Sequence, residues 1–212
     1  MNKRYIVYLI LACTAGSLSA CRFFSKGSDK TNVNEIKYSN NQLSLKGNAT
    51  ITVFRTDDDT ASIRIIDEGK YQISRTGSEV YLYQEPGKGQ AKATMDKEQY
   101  PRIEFRVPKK TTSLSLELFK NGDIILADSF DLSELTLSLS GNGDISSPNK
   151  IKVGTCTMSL SGNGDIAFNQ IEAQTINTSL NGNGDILLEG TARVHNSDLN
   201  ADINTERLVI LK

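Results

Sequence analysis

Several residue types that build compact functional sites are scarce in this sequence of 212 residues. It has no tryptophan, four prolines, three cysteines and a single histidine, His195. Three cysteines are too few for the disulfide framework of a small secreted domain or for a zinc site made of four thiolates. One histidine excludes sites built from clustered imidazoles. The functional groups of this chain are therefore hydroxyls, amides and carboxylates in the main.

A strong positive charge is also missing. The chain has 24 Lys and Arg residues against 25 Asp and Glu residues, which gives a formal net charge of −1 at pH 7. No cluster of Lys and Arg is interleaved with aromatic residues. Proteins that bind nucleic acid usually carry such a basic surface, so we expect no nucleic acid partner.

The N-terminus has the pattern of a secretion signal. The basic residues Lys3 and Arg4 precede an apolar run from Tyr5 to Ala15. That run is shorter than the roughly 20 residues that a transmembrane helix requires. We therefore predict a signal peptide over residues 1–20.

The end of this signal suggests a lipid anchor. Leu18-Ser19-Ala20-Cys21 resembles the bacterial lipobox, which implies that Cys21 is acylated and becomes the new N-terminus. The alternative is an ordinary signal peptide that is cut near Ala20. Residues 21–32 are rich in Ser, Lys and Gly and are predicted to form a lipidated tether. The expected location is the bacterial cell envelope at the outer membrane, on either its periplasmic or its surface face.

A phrase ending in Gly-Asp-Ile recurs at a nearly fixed interval. Its aspartates lie 20 or 21 residues apart through four copies, and Asn200-Ala201-Asp202-Ile203 is a degraded fifth copy. A period of this length is typical of a solenoid, in which each repeat buries its apolar face against its neighbours. The four copies are Asn121-Gly122-Asp123-Ile124, Gly141-Asn142-Gly143-Asp144-Ile145, Gly162-Asn163-Gly164-Asp165-Ile166 and Gly182-Asn183-Gly184-Asp185-Ile186.

Strict alternation of apolar and polar residues precedes each copy, as in Leu135-Thr136-Leu137-Ser138-Leu139-Ser140. This alternation predicts half-buried strands. Aligning the copies stacks like residues in columns, so residues 108–212 are predicted to form a parallel β-helix with coils of about 20 residues. The predicted core columns are Leu114, Leu135, Cys156 and Ile176; Leu116, Leu137, Met158 and Thr178; Leu118, Leu139, Leu160 and Leu180; Ile124, Ile145, Ile166 and Ile186; and Phe130, Ile151 and Ile171.

The preceding segment, residues 33–107, is predicted to be a less regular β region. Leu43 to Ile51 echoes the later repeat and is interpreted as an early coil or a capping unit. Alternating stretches at 61–66, 71–74 and 80–84 are predicted to pair as hairpins. Residues 85–99 have no apolar periodicity and are predicted to form a long loop. The fold class is thus all-β, a parallel β-helix with a less regular N-terminal half.

These features together resemble a known bacterial family. An N-terminal β segment, a strand ending in Val107-Pro108 and repeated Leu-Ser-Leu-Ser-Gly-x-Gly-Asp-Ile coils are similar to the putative auto-transporter adhesin, head GIN domain family. The similarity covers nearly all of the mature chain, although Lys120 and Asn200-Ala201 depart from the glycine pattern. The resemblance implies a β-helical envelope protein whose function is unknown.

The repeated aspartates admit two interpretations. Carboxylates stacked about 4.8 Å apart would repel each other by roughly 0.9 kcal/mol in water, so they must be exposed, splayed or neutralised by cations. The phrase resembles a calcium-binding nonapeptide, but that motif has two glycine turns in each shorter coil. In the other interpretation each side chain accepts hydrogen bonds from turn N–H groups, which we favour. We also interpret the acidic triplet Asp57-Asp58-Asp59 as a solvated turn, and we expect no metal and no cofactor.

The function that the sequence favours is a non-catalytic adhesion or binding module of the envelope. Its outward face would meet a glycan or an envelope protein, and its partners would include the membrane through Cys21. An envelope scaffold or stress-sensing lipoprotein is the alternative, and a polysaccharide-active enzyme is a less favoured one, since lone His195 lacks a paired nucleophile or carboxylate. Cys156 is interpreted as a buried, unreactive thiol. The outward serines proposed for binding are Ser138, Ser140, Ser159, Ser161 and Ser179.

Overall fold

The computed structural model describes residues 35–38, 42–66, 71–76, 79–84, 100–197 and 202–211. The predicted signal peptide, Cys21, the tether and the 85–99 loop lie outside the described residues. Within those ranges the protein is all-β, and no helix there is long and apolar enough to cross a membrane. The strands are β1 (Glu35–Tyr38), β2 (Gln42–Lys46), β3 (Thr50–Thr56), β4 (Ala61–Ile65), β5 (Tyr71–Thr76), β6 (Glu79–Gln84), β7 (Arg102–Pro108), β8 (Ser113–Leu118), β9 (Ile124–Leu126), β10 (Phe130–Ser140), β11 (Ile145–Asn163), β12 (Ile166–Asn183), β13 (Asp185–Ser197) and β14 (Asp202–Ile210).

The second half of the chain winds into stacked coils, which confirms the predicted β-solenoid. Strands β8 and β10 to β14 pair in parallel with the strand one repeat away. Leu135 lies opposite Leu114 on one side and Cys156 on the other. Ile166 likewise lies between Ile145 and Ile186. The repeat period of the sequence is therefore the length of one coil.

The predicted columns form the core of the solenoid. Their side chains are buried, including the Met158 and Cys156 side chains in the third coil. Thr178 takes the place of an apolar residue in the Leu116 column and is buried as well. Each CH₂ group removed from water in this way stabilises the fold by about 0.8 kcal/mol, so the stacked columns supply most of the hydrophobic stabilisation.

The early coil predicted around Leu43 is present, and its position in the stack is not the one that chain order suggests. Strands β2 and β3 pair in parallel with β8 and β9, so that Leu45 lies opposite Leu118 and Ile51 opposite Ile124. On their other side β2 and β3 pair with β6 and β7. The coil formed earlier in the sequence therefore lies between two layers that the chain forms later.

The chain passes over this inserted coil at residues 109–111, and Arg55 holds the crossing in place. The Arg55 guanidinium donates to the carbonyl oxygens of Lys109 and Thr111, and it lies 5.2 Å from the Phe130 ring centroid. The Arg55 backbone N–H donates to Asp128 Oδ2 at 2.6 Å. Partial burial lowers the pKa of the Arg55 guanidinium, while Asp131 and Asp128 oppose that shift. One side chain thus ties three segments together.

The acidic triplet lies in an exposed turn after β3, as the sequence predicted. Asp57 pairs with Lys109 at 2.8 Å and Asp59 pairs with Lys110 at 2.6 Å. The hydrogen bond from Lys110 lowers the pKa of the Asp59 carboxyl. Such exposed pairs contribute about 0 to 1 kcal/mol, so they orient the crossing segment more than they stabilise it.

The N-terminal strands close one end of the stack. The predicted pairing of β5 with β6 as an antiparallel hairpin is confirmed. Strand β4 differs from the hairpin expectation, because it pairs antiparallel with β7 and with β1 rather than with β5. The physical reason is that β7 would otherwise expose a row of unpaired N–H and C=O groups at this end. Burial of Ile63 and Ile65 on β4 secures the pairing.

Candidate functional site

The repeated turn brings successive coils into close contact. Gly122, Gly143, Gly164 and Gly184 adopt φ values between 137 and 148°, which side chains disfavour. A Cβ atom added to Gly143 would lie 2.0 Å from the carbonyl oxygen of Gly122, one coil away. The glycines are therefore required by both backbone conformation and the approach of the neighbouring coil.

The aspartates of these turns form a ladder of hydrogen bonds between coils. Asp123 Oδ1 accepts from the Asp144 backbone N–H at 2.9 Å, and Asp144 Oδ1 accepts from the Asp165 N–H at 3.0 Å. Asp165 Oδ1 accepts from the Asp185 N–H at 2.9 Å. The structural interpretation of the aspartates is thus confirmed in kind, but each carboxylate serves the next coil rather than its own turn.

The asparagines form a second ladder beside the first. Asn121 Oδ1 accepts from the Asn142 N–H, and Asn142 Oδ1 accepts from both the backbone N–H and the side-chain amide of Asn163. Asn48 begins this ladder, because its Oδ1 accepts from the Asn121 N–H at 3.1 Å. The early coil therefore uses the same turn chemistry as the later repeats.

Both ladders use oxygen atoms that could otherwise hold a cation. Asp165 and Asp185 are exposed and Asp144 is half-buried, so water screens the repulsion between neighbouring carboxylates. Among the residues that the structure describes, no three His, Cys, Asp or Glu side chains are grouped to hold a metal ion. What the turn does chemically is to link coil to coil through backbone N–H groups.

The outward sides of β8, β10, β11 and β12 form a polar face. Its columns contain the predicted serines, and Ser138, Ser159 and Ser179 stand opposite one another in register. The column beside them is hydrogen-bonded along its length: Asn177 Nδ2 lies 3.4 Å from Thr157 Oγ1, and Asn196 Nδ2 donates to Asn177 Oδ1 at 2.9 Å. The face thus offers hydroxyl and amide groups at the inter-strand spacing of about 4.8 Å.

A small cleft opens on a different side of the solenoid. It has a volume of about 190 Å³ and lies where the register of β11, β12 and β13 shifts at a bend. Lys150 and Glu172 form an ion pair of 2.7 Å at its edge. The unequal length of successive repeats is the sequence signal that could have located it. The cleft is lined by Lys150, Asn169, Gln170, Ile171, Glu172, Gly190 and Thr191.

His195 and Cys156 occupy the same inward column. Cys156 is fully buried, and this burial raises the pKa of its thiol to about 12. His195 lies opposite Ile176 in the next coils, half-buried, with Nε2 3.1 Å from Thr178 Oγ1. Burial lowers the pKa of His195. The thiol is therefore unreactive, and the imidazole covers the end of the core column.

Aromatic residues were expected in the first half, at Tyr71, Tyr81, Tyr83 and Tyr100. The structure adds Phe119, which is 40% exposed and lies beneath the Lys46 ammonium group beside the polar face. Its place after the alternation of β8 puts it in an outward position, so period-two reasoning could have found it. Cys21, the predicted lipid site, lies outside the described residues.

The sequence also matches a model of a known family. The family is described as putative auto-transporter adhesin, head GIN domain, and the match covers residues 74–210. The chain belongs to this family. The match includes every Gly-Asp-Ile turn of the solenoid, so the ladders lie inside the head GIN domain.

Solved structures share the fold of this head GIN domain protein at low sequence identity. A putative lipid binding protein from Parabacteroides distasonis is 18% identical, with 83% of this chain and 74% of that chain covered and a TM-score of 0.59. A putative adhesin from Parabacteroides merdae is 15% identical, with 84% and 75% covered and a TM-score of 0.57. A putative adhesin from Bacteroides fragilis is 14% identical, with 82% and 93% covered and a TM-score of 0.51. No curated protein matches the sequence.

Proposed function

We propose that this chain is a non-catalytic adhesion or binding module of the bacterial cell envelope. A lipid on Cys21 would anchor it to the outer membrane, and the polar face would meet a glycan or an envelope protein. The adhesin description of its family supports this proposal, as do the solved structures of similar fold that are described as adhesins. The family supports a location in the envelope or outside the cell.

The polar face is the observation that carries the proposal. Its hydroxyl and amide groups repeat along stacked strands, and the hydrogen bonds between Asn177 and its column neighbours fix side chains before a ligand arrives. Fixing polar groups in advance reduces the entropy lost on binding. A glycan, whose hydroxyl groups also repeat along a chain, is a suitable partner for such a surface.

The chemistry of the carboxylates supports a binding role over a catalytic one. Hydrolysis of a glycosidic bond requires two carboxyl groups with opposed roles, one to protonate the leaving group and one to act as base or nucleophile. The carboxylates that repeat along this solenoid belong to one ladder and accept backbone N–H groups from the next coil. They have an identical structural task in every coil.

A pair of serine variants tests the proposed face. Ser159 and Ser146 are both half-buried and point outward, but Ser159 lies on the polar face and Ser146 lies on the short strand after the turn. We expect Ser159→Lys to reduce binding to peptidoglycan and to outer-membrane polysaccharide at least tenfold, while Ser146→Lys leaves it unchanged. Equal binding by both variants would show that another surface is used.

The scaffold alternative is favoured by a separate observation. The coil end at β14 is uncovered in the described part of the chain, whereas β4 and β5 cover the opposite end. An envelope scaffold would use such an end to contact a protein. Loss of protein contacts in envelope extracts after a change in β14, with glycan binding intact, would support this second function.

A further inference from the structure

The two ends of the solenoid differ in how their strand edges are covered. At the N-terminal end, β4 pairs with β7 and β5 pairs with β6. At the C-terminal end, β14 pairs with β13 and with no other described strand. The outer edge of β14 therefore presents backbone N–H and C=O groups, which is the arrangement that accepts a further strand.

This open edge is also apolar. Val209, Ile210 and Leu211 are 57, 49 and 47% exposed, and Val194 at the same end is 46% exposed. Ile210 lies opposite Ala192, which continues a column through Ala173 to buried Val153. Ile210 is thus a core-column position that has no coil above it in the described residues. Apolar positions of this kind mark surfaces that a partner covers.

From this edge we infer that two copies of the chain pair through β14, antiparallel about a two-fold axis. The Leu211 N–H donates to the Ala192 carbonyl oxygen at 2.7 Å, which fixes the direction of the hydrogen-bonding groups. Because these groups alternate along a strand, those of Val209 also face β13, whereas those of Leu208 and Ile210 face the open edge. These two residues can each exchange backbone hydrogen bonds with a second copy.

The alternation restricts the possible registers, since a two-fold pair must place one residue opposite its own copy. Centring the pair on Val209 puts Leu208 opposite Ile210 of the second copy, so that apolar residues meet. Continuing that register along the sequence puts Glu206 opposite Lys212, so opposite charges meet at both ends.

The neighbouring registers match less well. Centring on Arg207 places two like charges opposite each other, and centring on Leu208 places Glu206 opposite Ile210. Centring on Ile210 places Leu208 opposite Lys212. Charge and apolarity therefore select the register at Val209. This self-pairing goes beyond the proposed ligand binding and does not depend on it, because the polar face stays free.

Disulfide trapping in the full chain tests the register. In the proposed pair, Val209 and its copy are a non-hydrogen-bonded pair with Cα atoms about 4.5 Å apart, within disulfide range. We expect Val209→Cys to give a covalent dimer under mild oxidation. Thr191→Cys, which lies opposite Val209 one coil back, should not. Both variants retain the natural cysteines, so disulfides through those would appear equally. Equal cross-linking of the two variants, or none in either, would overturn the proposal.

Charge exchange provides a second test that does not rely on cysteine. We expect the purified chain to have the mass of two copies by sedimentation, with Glu206→Lys raising the dissociation constant at least tenfold. Adding Lys212→Glu to that variant should restore the dimer. Thermal unfolding of each variant confirms that it is folded. A monomeric natural chain, or a double variant that remains monomeric, would contradict the inference.

Discussion

Asp144 and Asp165 are linked across two coils by a hydrogen bond from the backbone N–H of Asp165 to Oδ1 of Asp144, 3.0 Å long. The residues are equivalent positions of successive repeats. A carboxylate that is repeated for chemistry would leave its oxygen atoms available to a ligand. Here the side chain of one repeat satisfies the backbone of the next, so the repetition of the sequence is itself part of the bonding between coils.

The acceptor oxygen is expected to matter more than the charge. Asp144→Ala removes the acceptor for the Asp165 N–H and should lower the free energy of unfolding by about 1 kcal/mol. Asp144→Asn keeps an oxygen and removes repulsion along the ladder, so its stability should equal or exceed that of the natural chain. Urea denaturation of the three proteins measures this order. Equal destabilisation by Asn and Ala would show that the hydrogen bond is unimportant.

The alternation of the strands predicts opposite effects at adjacent residues. Leu160 is fully buried and Ser159 is half-buried on the polar face. Leu160→Asp places a charge without a partner in the core and should lower the free energy of unfolding by at least about 4 kcal/mol, whereas Ser159→Asp should cost less than about 1 kcal/mol. Circular dichroism during thermal unfolding compares the two. A similar loss in both would contradict the assigned inward and outward positions.

His195 is expected to make stability depend on pH. Because burial lowers its pKa in the folded protein, the unfolded chain binds more protons, and stability rises with pH through the titration. The contribution is therefore present above the ordinary histidine pKa of about 6.5 and is lost as pH falls through the lower folded value. His195 is the single histidine of the chain. Unfolding from pH 7.5 down to pH 5.5 should weaken the natural chain more than His195→Gln, and identical profiles would refute the prediction.

The lipid anchor remains a prediction from the sequence. Cys21→Ser should release the protein from membranes or block its processing, whereas Cys13→Ser should change neither. Detergent phase partitioning of cell fractions, together with the electrophoretic size of the product, measures both effects. Equal membrane recovery of the two variants would show that the protein carries no lipid on Cys21.

The core could be predicted from the sequence because two periods agree there. The period of two assigned each side chain to the inside or the outside, and the period of about 20 residues placed Leu135 opposite Leu114 and Cys156. The turn glycines followed from the same alignment. These positions depend on local residue patterns, which repeat whether or not the final packing is known.

The order of the layers could not be predicted in the same way. Leu43 to Ile51 matches the repeat, but nothing in that segment states that β6 and β7 will occupy its other side. The arrangement depends on the crossing at residues 109–111 and on Arg55, whose contacts lie more than 50 residues apart in sequence. The cleft at Lys150 was missed for a similar reason, because it arises from register shifts between coils.

The account makes the Gly-Asp turn an element of architecture whose aspartates serve backbone N–H groups instead of calcium. Thermal unfolding of the purified chain in excess EDTA and in millimolar calcium tests this most directly. A ligand at a hundred times its dissociation constant would stabilise the fold by about 2.7 kcal/mol, which amounts to several degrees. We predict the same melting temperature in both solutions. A rise of several degrees with calcium that is lost in Asp144→Asn and Asp165→Asn would contradict the account.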